Sequence, residues 1–188
     1  KTVTVDGKPV EAKTVLIATG SDYHKIGVPG EAEYYGRGVH YCATCDGAFY
    51  RDKKLVVIGG GNSAVQEALF LTRFTSHIDL LVRSTIKASE VLKHDLEKMV
   101  AEGKITIHLN TETLAIEATD GKVNNVKATK DGEPIDFATD GVFMFVGLKP
   151  NTEFLKTSAI ELDERGLIKT NTHLETSMPG VYASGDVR

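Results

Sequence analysis

The stretch Leu55-Val56-Val57-Ile58-Gly59-Gly60-Gly61-Asn62-Ser63-Ala64 decides the fold. Four apolar residues in a row, rich in β-branched types, read as a strand buried on both faces. Three glycines interrupt it. From Asn62 to Arg73 the apolar period becomes helical, with Ala64, Val65, Ala68, Leu69, Leu71 and Thr72 on the packed stripe. Ile78 to Val82 then reads as a second buried strand. The glycines therefore form a G-x-G-x-x-A turn between a strand and a helix, inside a βαβ unit. Gly59 permits the tight turn. Gly61 lets a pyrophosphate approach the amides of Asn62 and Ser63 at the positive end of the helix, and Ala64 allows close helix–strand packing. This pattern predicts a dinucleotide site.

The end of the second strand selects the dinucleotide. An NAD site places Asp or Glu there for the ribose hydroxyls. Here the chain reads Val82-Arg83-Ser84 and then Lys87, while Asp79 stands at the strand's start, too early. Arg83 and Lys87 suit a 2′-phosphate, Arg83 the better placed of the two and Lys87 equally readable as a solvated surface charge, so NADPH is the expected cofactor.

Outward from this unit, Ser89 is placed to cap a helix from Glu90 to about Glu102. Short strands are expected near 105–109, 111–118, 123–129 and 135–146. Upstream, Thr2 to Val5, the turn Asp6-Gly7 and a return from Val10 to Ala18 read as a β-hairpin whose last residues are buried. Residues 21–38 carry Gly27, Pro29, Gly30, Gly36 and Gly38, the composition of a linker or domain crossing. A last strand is expected at Gly180-Val181-Tyr182-Ala183, and Phe145 and Tyr182 are read as core. The fold class is α/β, with a Rossmann-like domain flanked by β-rich pieces.

Composition narrows the function. The 188 residues are 41% hydrophobic and 26% charged, as in a globular protein, with a net charge of −4 that argues against a broad nucleic-acid surface. No apolar run reaches the roughly 18 residues of a membrane span, and the polar opening Lys1-Thr2-Val3 is unlike a signal peptide.

Both cysteines of the chain lie in Cys42-Ala43-Thr44-Cys45. Such a pair is half a zinc site or a redox dithiol. A structural zinc normally takes four protein ligands. His40 could be a third, but no second cysteine pair exists. A dithiol that closes a small ring and exchanges with another disulfide is the favoured reading. Asp46 can move the proton that exchange requires, or simply shape a turn before Gly47. His40 can act as a nearby cation or as a strand-end structural residue.

Cys42-Ala43-Thr44-Cys45-Asp46-Gly47 followed by Gly59-x-Gly61-x-x-Ala64 resembles bacterial-type, low-molecular-weight thioredoxin reductase. So do Ala18-Thr19-Gly20, Gly27-Val28-Pro29-Gly30-Glu31, Val146-Gly147-Leu148-Lys149-Pro150-Asn151-Thr152 and Ala183-Ser184-Gly185-Asp186-Val187. The resemblance runs over the whole chain and implies NADPH–thioredoxin-disulfide reductase activity (EC 1.8.1.9), in which NADPH reduces FAD, FAD opens the Cys42–Cys45 disulfide, and the dithiol reduces thioredoxin. It makes Cys42 the residue that attacks the substrate, Cys45 the one nearer the flavin, and Asp46 the acid/base. It puts Thr19, Gly20, Gly185 and Asp186 among the flavin contacts. Glu67, on the first helix, either approaches the nicotinamide side or is simply helix surface. The resemblance divides the chain into 1–24 and 150–188, pieces of an FAD domain, and 25–149, the NADPH and disulfide domain. Hinges are then expected within 20–38 and 147–151, because the family rotates its two domains. A cytoplasmic homodimer is implied for the full-length enzyme, with neither nucleic acid nor membrane as partner.

Two features depart from the family pattern. Its 2′-phosphate segment is commonly His-Arg-Arg and a further Arg, against Val82-Arg83-Ser84 and Lys87 here. Its N-terminal FAD-binding Gly-x-Gly-x-x-Gly has no counterpart before Gly59, so the chain is expected to be a fragment, inactive alone. Rival readings are the flavoprotein subunit of alkyl hydroperoxide reductase, a related oxidase that closes disulfides in small molecules, and an NADPH-binding module without turnover.

Overall fold

The computed structural model describes all 188 residues, Lys1–Arg188. In chain order the first strands are β1 (Thr2–Val5), β2 (Lys8–Glu11), β3 (Val15–Ile17), β4 (Ser21–Tyr23) and β5 (Val39–His40). A short helix, α1 (Ala43–Asp46), and a 3-10 turn (Gly47–Tyr50) lead into β6 (Lys54–Ile58), α2 (Asn62–Leu71) and β7 (His77–Leu81). Then come α3 (Glu90–Ala101), β8 (Ile105–His108), β9 (Thr111–Thr119), β10 (Lys122–Lys130), β11 (Glu133–Ala138) and β12 (Gly141–Met144). The chain closes with β13 (Leu148–Pro150), a 3-10 turn (Glu153–Leu155) and β14 (Val181–Ala183). No helix is long and apolar enough to cross a membrane.

Two compact units result. The larger is His24–Gly147. Its parallel sheet has the order β5-β12-β6-β7-β8. Because side chains alternate along a strand, β6 builds two cores at once. Leu55 and Val57 pack with Val65, Ala68 and Leu71 of α2 and Leu96 of α3. Val56 and Ile58 face the other way and pack with Ile116, Val126, Ala128 and Phe137 of the antiparallel sheet β9-β10-β11. A strand buried on both sides must be apolar throughout, which is why residues 55–58 read so clearly.

The expected single strand over 135–146 is two strands. At the break, the Asp140 carboxylate accepts the Lys54 N–H at 2.9 Å, and the Thr139 hydroxyl donates to the Gly141 carbonyl at 2.7 Å. These bonds turn the chain, so that β11 ends the antiparallel sheet and β12 enters the parallel one between β5 and β6. Ser89 stands at the N-cap position of α3, but its side chain makes no capping bond.

The smaller unit is Lys1–Tyr23 with Leu148–Arg188. Its β1–β2 hairpin turns through Asp6 and Gly7, both with positive φ (50° and 75°), the geometry expected of this dipeptide. The return strand does not run to Ala18. It stops at Glu11, and β3 restarts at Val15 to pair in parallel with β14. β3 is not buried on both faces either. Ile17 packs with Leu155, Ile168, Val181 and Val187, whereas Leu16 is 64% exposed. With one neighbouring strand and one small core, β3 has only one face to bury. Tyr182, expected as core, is half-buried.

Candidate active site

Cys42 and Cys45 form a disulfide across α1, with Cα atoms 5.3 Å apart. β5 delivers the chain to Cys42, which occupies the N-cap position. The Cys45 N–H donates to Cys42 Sγ at 3.2 Å. Cys45 is exposed and Cys42 half-exposed, so the bond is open to a partner. Buried side chains hold the turn from beneath. His40 is 6% exposed and lies with Nδ1 3.0 Å from Asp46 Oδ2 and Nε2 2.7 Å from Tyr50 Oη. Tyr41 donates to Glu31 Oε1 at 2.6 Å. The Glu31 carboxylate, itself 2% exposed, also accepts the N–H groups of Ile26 and Gly27. Burial pushes the Tyr50 phenol up to about 12, helped by the nearby Asp46 and Asp140 charges. Burial and Glu31 raise Tyr41 as well.

The glycine turn opens into a cleft of about 620 Å³ within the same unit. Gly59 has φ +141°; a Cβ there would overlap the Phe145 carbonyl and lie 2.8 Å from the Ala64 Cβ. Gly59 and Ala64 thus need each other to be small. A Cβ at Gly60 would lie 2.6 Å from Val82 Cγ1. Gly61 differs, since a Cβ there meets nothing within 4 Å and its φ of −89° suits any residue. The protein's own packing does not demand glycine at that position, whereas a ligand seated on the turn would. No side chain caps α2, which leaves its first amides for that ligand. The residues present fit a dinucleotide pyrophosphate.

Arg83 and Lys87 both line this cleft, with Ser63, Ser84 and Thr85. The Lys87 N–H donates to the Gly60 carbonyl at 2.6 Å, tying the Lys87 segment to the glycine turn. Asn62 lines the cleft too, but its side chain is engaged, accepting the Ser89 N–H at 2.8 Å. Sequence reasoning missed His24, Lys25, Thr111, Glu112 and Thr113, which complete the walls. No local pattern marks them; they arrive through the fold. Glu112 is the only carboxylate on the walls, which also carry Lys25, Arg83 and Lys87. Phe145, expected as core, is half-buried and lines the cleft.

Glu67 does not line it. Glu67 is half-buried on α2, where burial raises its carboxyl. Asp79 is likewise outside the cleft. His108 Nε2 lies 2.8 Å from its Oδ1, and Lys54 Nζ is 2.9 Å from Oδ2. The Lys54 contact is close but misaligned for a hydrogen bond, so it acts as a charge pair. Burial pushes the Asp79 carboxyl up, yet Lys54 and His108 outweigh it and hold it low.

In the smaller unit, Thr19-Gly20 and Gly185-Asp186 leave the C-terminal ends of the adjacent parallel strands β3 and β14. That end of a parallel pair is where α/β sheets take ligands. Thr19 donates to the Asn151 carbonyl at 2.8 Å, and Asn151 returns a bond to the Thr19 carbonyl at 3.0 Å.

The family model described as pyridine nucleotide-disulphide oxidoreductase matches residues 1–188. A thioredoxin reductase of Bacillus subtilis is 42% identical over 191 aligned residues, which cover all of this chain and 59% of the relative. A thioredoxin reductase structure from Lactococcus lactis superposes with a TM-score of 0.85 at 39% identity, covering all of this chain and 61% of that one. The thioredoxin reductase structure from Streptococcus pyogenes gives 0.79 at 42% identity, with the same coverage. The chain thus spans about three fifths of these relatives' length.

Proposed function

The chain belongs to the pyridine nucleotide-disulphide oxidoreductase family, and on that footing we propose that it is the NADPH-binding and disulfide-bearing part of a thioredoxin reductase. The observation that carries this reading is the juxtaposition, in one unit, of an accessible Cys42–Cys45 disulfide and a glycine turn lined with cations. The unit His24–Gly147 is read as the NADPH side. The unit Lys1–Tyr23 with Leu148–Arg188 is read as the flavin side, with Thr19, Gly20, Gly185 and Asp186 as contacts.

NADPH and FAD, when bound, supply a hydride and its relay as an electron pair. The chain's own part begins with the turn. The bare amides at the start of α2 bind the pyrophosphate, Gly61 leaves room for it, and Arg83 and Lys87 pair with the 2′-phosphate. The Cys42–Cys45 bond accepts two electrons and two protons and becomes a dithiol. As a thiolate, Cys42 is favoured by the Cys45 N–H aimed at its sulfur. It attacks a thioredoxin disulfide, forming a mixed disulfide and releasing one thioredoxin thiolate. Cys45 then attacks Cys42 Sγ, restoring the Cys42–Cys45 bond and releasing the second thiolate. Asp46 moves protons between these sulfurs and solvent.

The test is an electron-acceptor assay on the full-length flavoprotein. NADPH should be consumed with thioredoxin as acceptor and much more slowly with NADH in its place. Turnover with a peroxiredoxin disulfide but not thioredoxin would favour a hydroperoxide-reductase subunit.

A further inference from the structure

We propose that Glu31 is a positioning residue for the dinucleotide cleft: its buried carboxylate holds the cleft wall at residues 24–28 and fastens that wall to Tyr41, the neighbour of Cys42. This rests on the reading of the cleft as the NADPH site.

Three donors converge on one carboxylate. Oε1 accepts the Ile26 N–H at 3.2 Å and the Tyr41 hydroxyl at 2.6 Å, and Oε2 accepts the Gly27 N–H at 2.6 Å. Glu31 is 2% exposed, so water does not stand in for any of these bonds when one is lost. Two successive amides point at one anion because Gly27 turns with φ +77°. The Tyr41 hydroxyl keeps its proton for this bond, since burial and Glu31 raise the phenol.

The amides so held belong to the wall. His24, Lys25, Ile26 and Val28 line the cleft. The His24 N–H donates at 2.9 Å to the carbonyl of Gly147, which lines it too. The Pro29 carbonyl accepts the Ile116 N–H at 2.9 Å, and Gly30 sits so near β9 that a Cβ there would lie 2.0 Å from the Ile116 carbonyl oxygen. Lys25, which joins Arg83 and Lys87 on the walls, therefore stands between two fixed points, the His24 bond and the Glu31 carboxylate. Neither sulfur takes part in this link, which passes beneath the redox turn. A wall fixed before the ligand arrives does not have to be ordered by it, and the affinity is higher by that amount.

The test uses the full-length flavoprotein, with NADPH binding and thioredoxin turnover as readouts. In Glu31→Gln the amide oxygen can still serve Ile26 and Tyr41, which share one oxygen, so the NH2 group falls against the Gly27 N–H. The Kd and KM for NADPH should rise about tenfold, while kcat at saturating NADPH stays within about twofold. Tyr41→Phe leaves both amides bonded and should raise the Kd by about threefold, which keeps the test open if Glu31→Gln does not fold. Ile105→Ala opens a cavity at the far end of the sheet strands; it should lower stability at least as much and leave the Kd unchanged. An unchanged Kd in Glu31→Gln and Tyr41→Phe overturns the proposal. So does a fall in kcat with KM unchanged, which would tie Glu31 to the redox turn alone, and so does an equal rise of the Kd in Ile105→Ala, because affinity would then merely follow stability. Failure of the wild type to bind NADPH overturns the reading of the cleft and this proposal with it.

Discussion

Two turns of the larger unit carry the proposed chemistry, and they are built on opposite plans. The redox turn at 42–46 depends on side chains that are present: two cysteines, with His40, Tyr50, Tyr41 and Glu31 beneath them. The glycine turn at 59–61 depends on side chains that are absent, two positions for the protein's own packing and the third, on the proposed reading, for the dinucleotide. The redox turn should therefore fail when a group is removed, and the glycine turn when an atom is added.

The sharpest way to break this contrast is at the cysteines. Cys45→Ser should abolish thioredoxin reduction yet leave NADPH affinity within about twofold, because the cleft walls do not include Cys45. Binding of NADPH can be followed by fluorescence quenching; loss of binding in this variant would show that the two turns are not separate devices.

On the other turn, Gly59→Ala should destabilise by about 3 kcal/mol, from the positive φ and the clash with the Phe145 carbonyl. Gly61→Ala should hardly move the unfolding midpoint but should weaken NADPH binding. Equal stability losses at both positions would contradict the division of roles.

Glu31→Gln tests the removal side. One acceptor oxygen becomes a donor facing an N–H or O–H that already donates, in a site 2% exposed. A loss of roughly 2 kcal/mol in denaturant unfolding is expected. Smaller still is the effect of Arg83→Gln with Lys87→Gln. It should weaken NADPH about tenfold and leave NADH nearly unchanged, because only the 2′-phosphate is addressed.

A pH dependence is expected as well. The folded-state phenol of Tyr50 titrates near 12, above its usual 10. Above pH 10 the unfolded chain loses that proton while the folded one keeps it, so stability falls as pH rises from 10 toward 12. Tyr50→Phe should flatten part of that fall. Tyr41 is raised too but contributes equally to both proteins, so the difference reports Tyr50.

The contrast also explains what the sequence made legible. Residues 55–64 could be read because their meaning is local: a strand buried on both faces needs an unbroken apolar run, and the tight turn needs Gly59. The cysteine pair was legible for the same reason. The supports were not. Glu31 reaches Tyr41 and His40 reaches Tyr50 across ten residues each, with no periodicity to announce the contact. Lys25, Thr111 and Thr113 reach the cleft only because β9 and the loop after residue 23 fold against the sheet ends. The break at Thr139-Asp140 is not legible in the sequence, because Asp136, Thr139 and Asp140 set among apolar residues look like one alternation, and only the bond to Lys54 distinguishes a turn.

The most direct test of the central claim counts thiols. In the full-length flavoprotein, anaerobic NADPH should expose two new titratable thiols, absent from a Cys42→Ser/Cys45→Ser variant, and subsequent addition of oxidised thioredoxin should consume them. NADPH-driven reduction of thioredoxin by the double variant would contradict it.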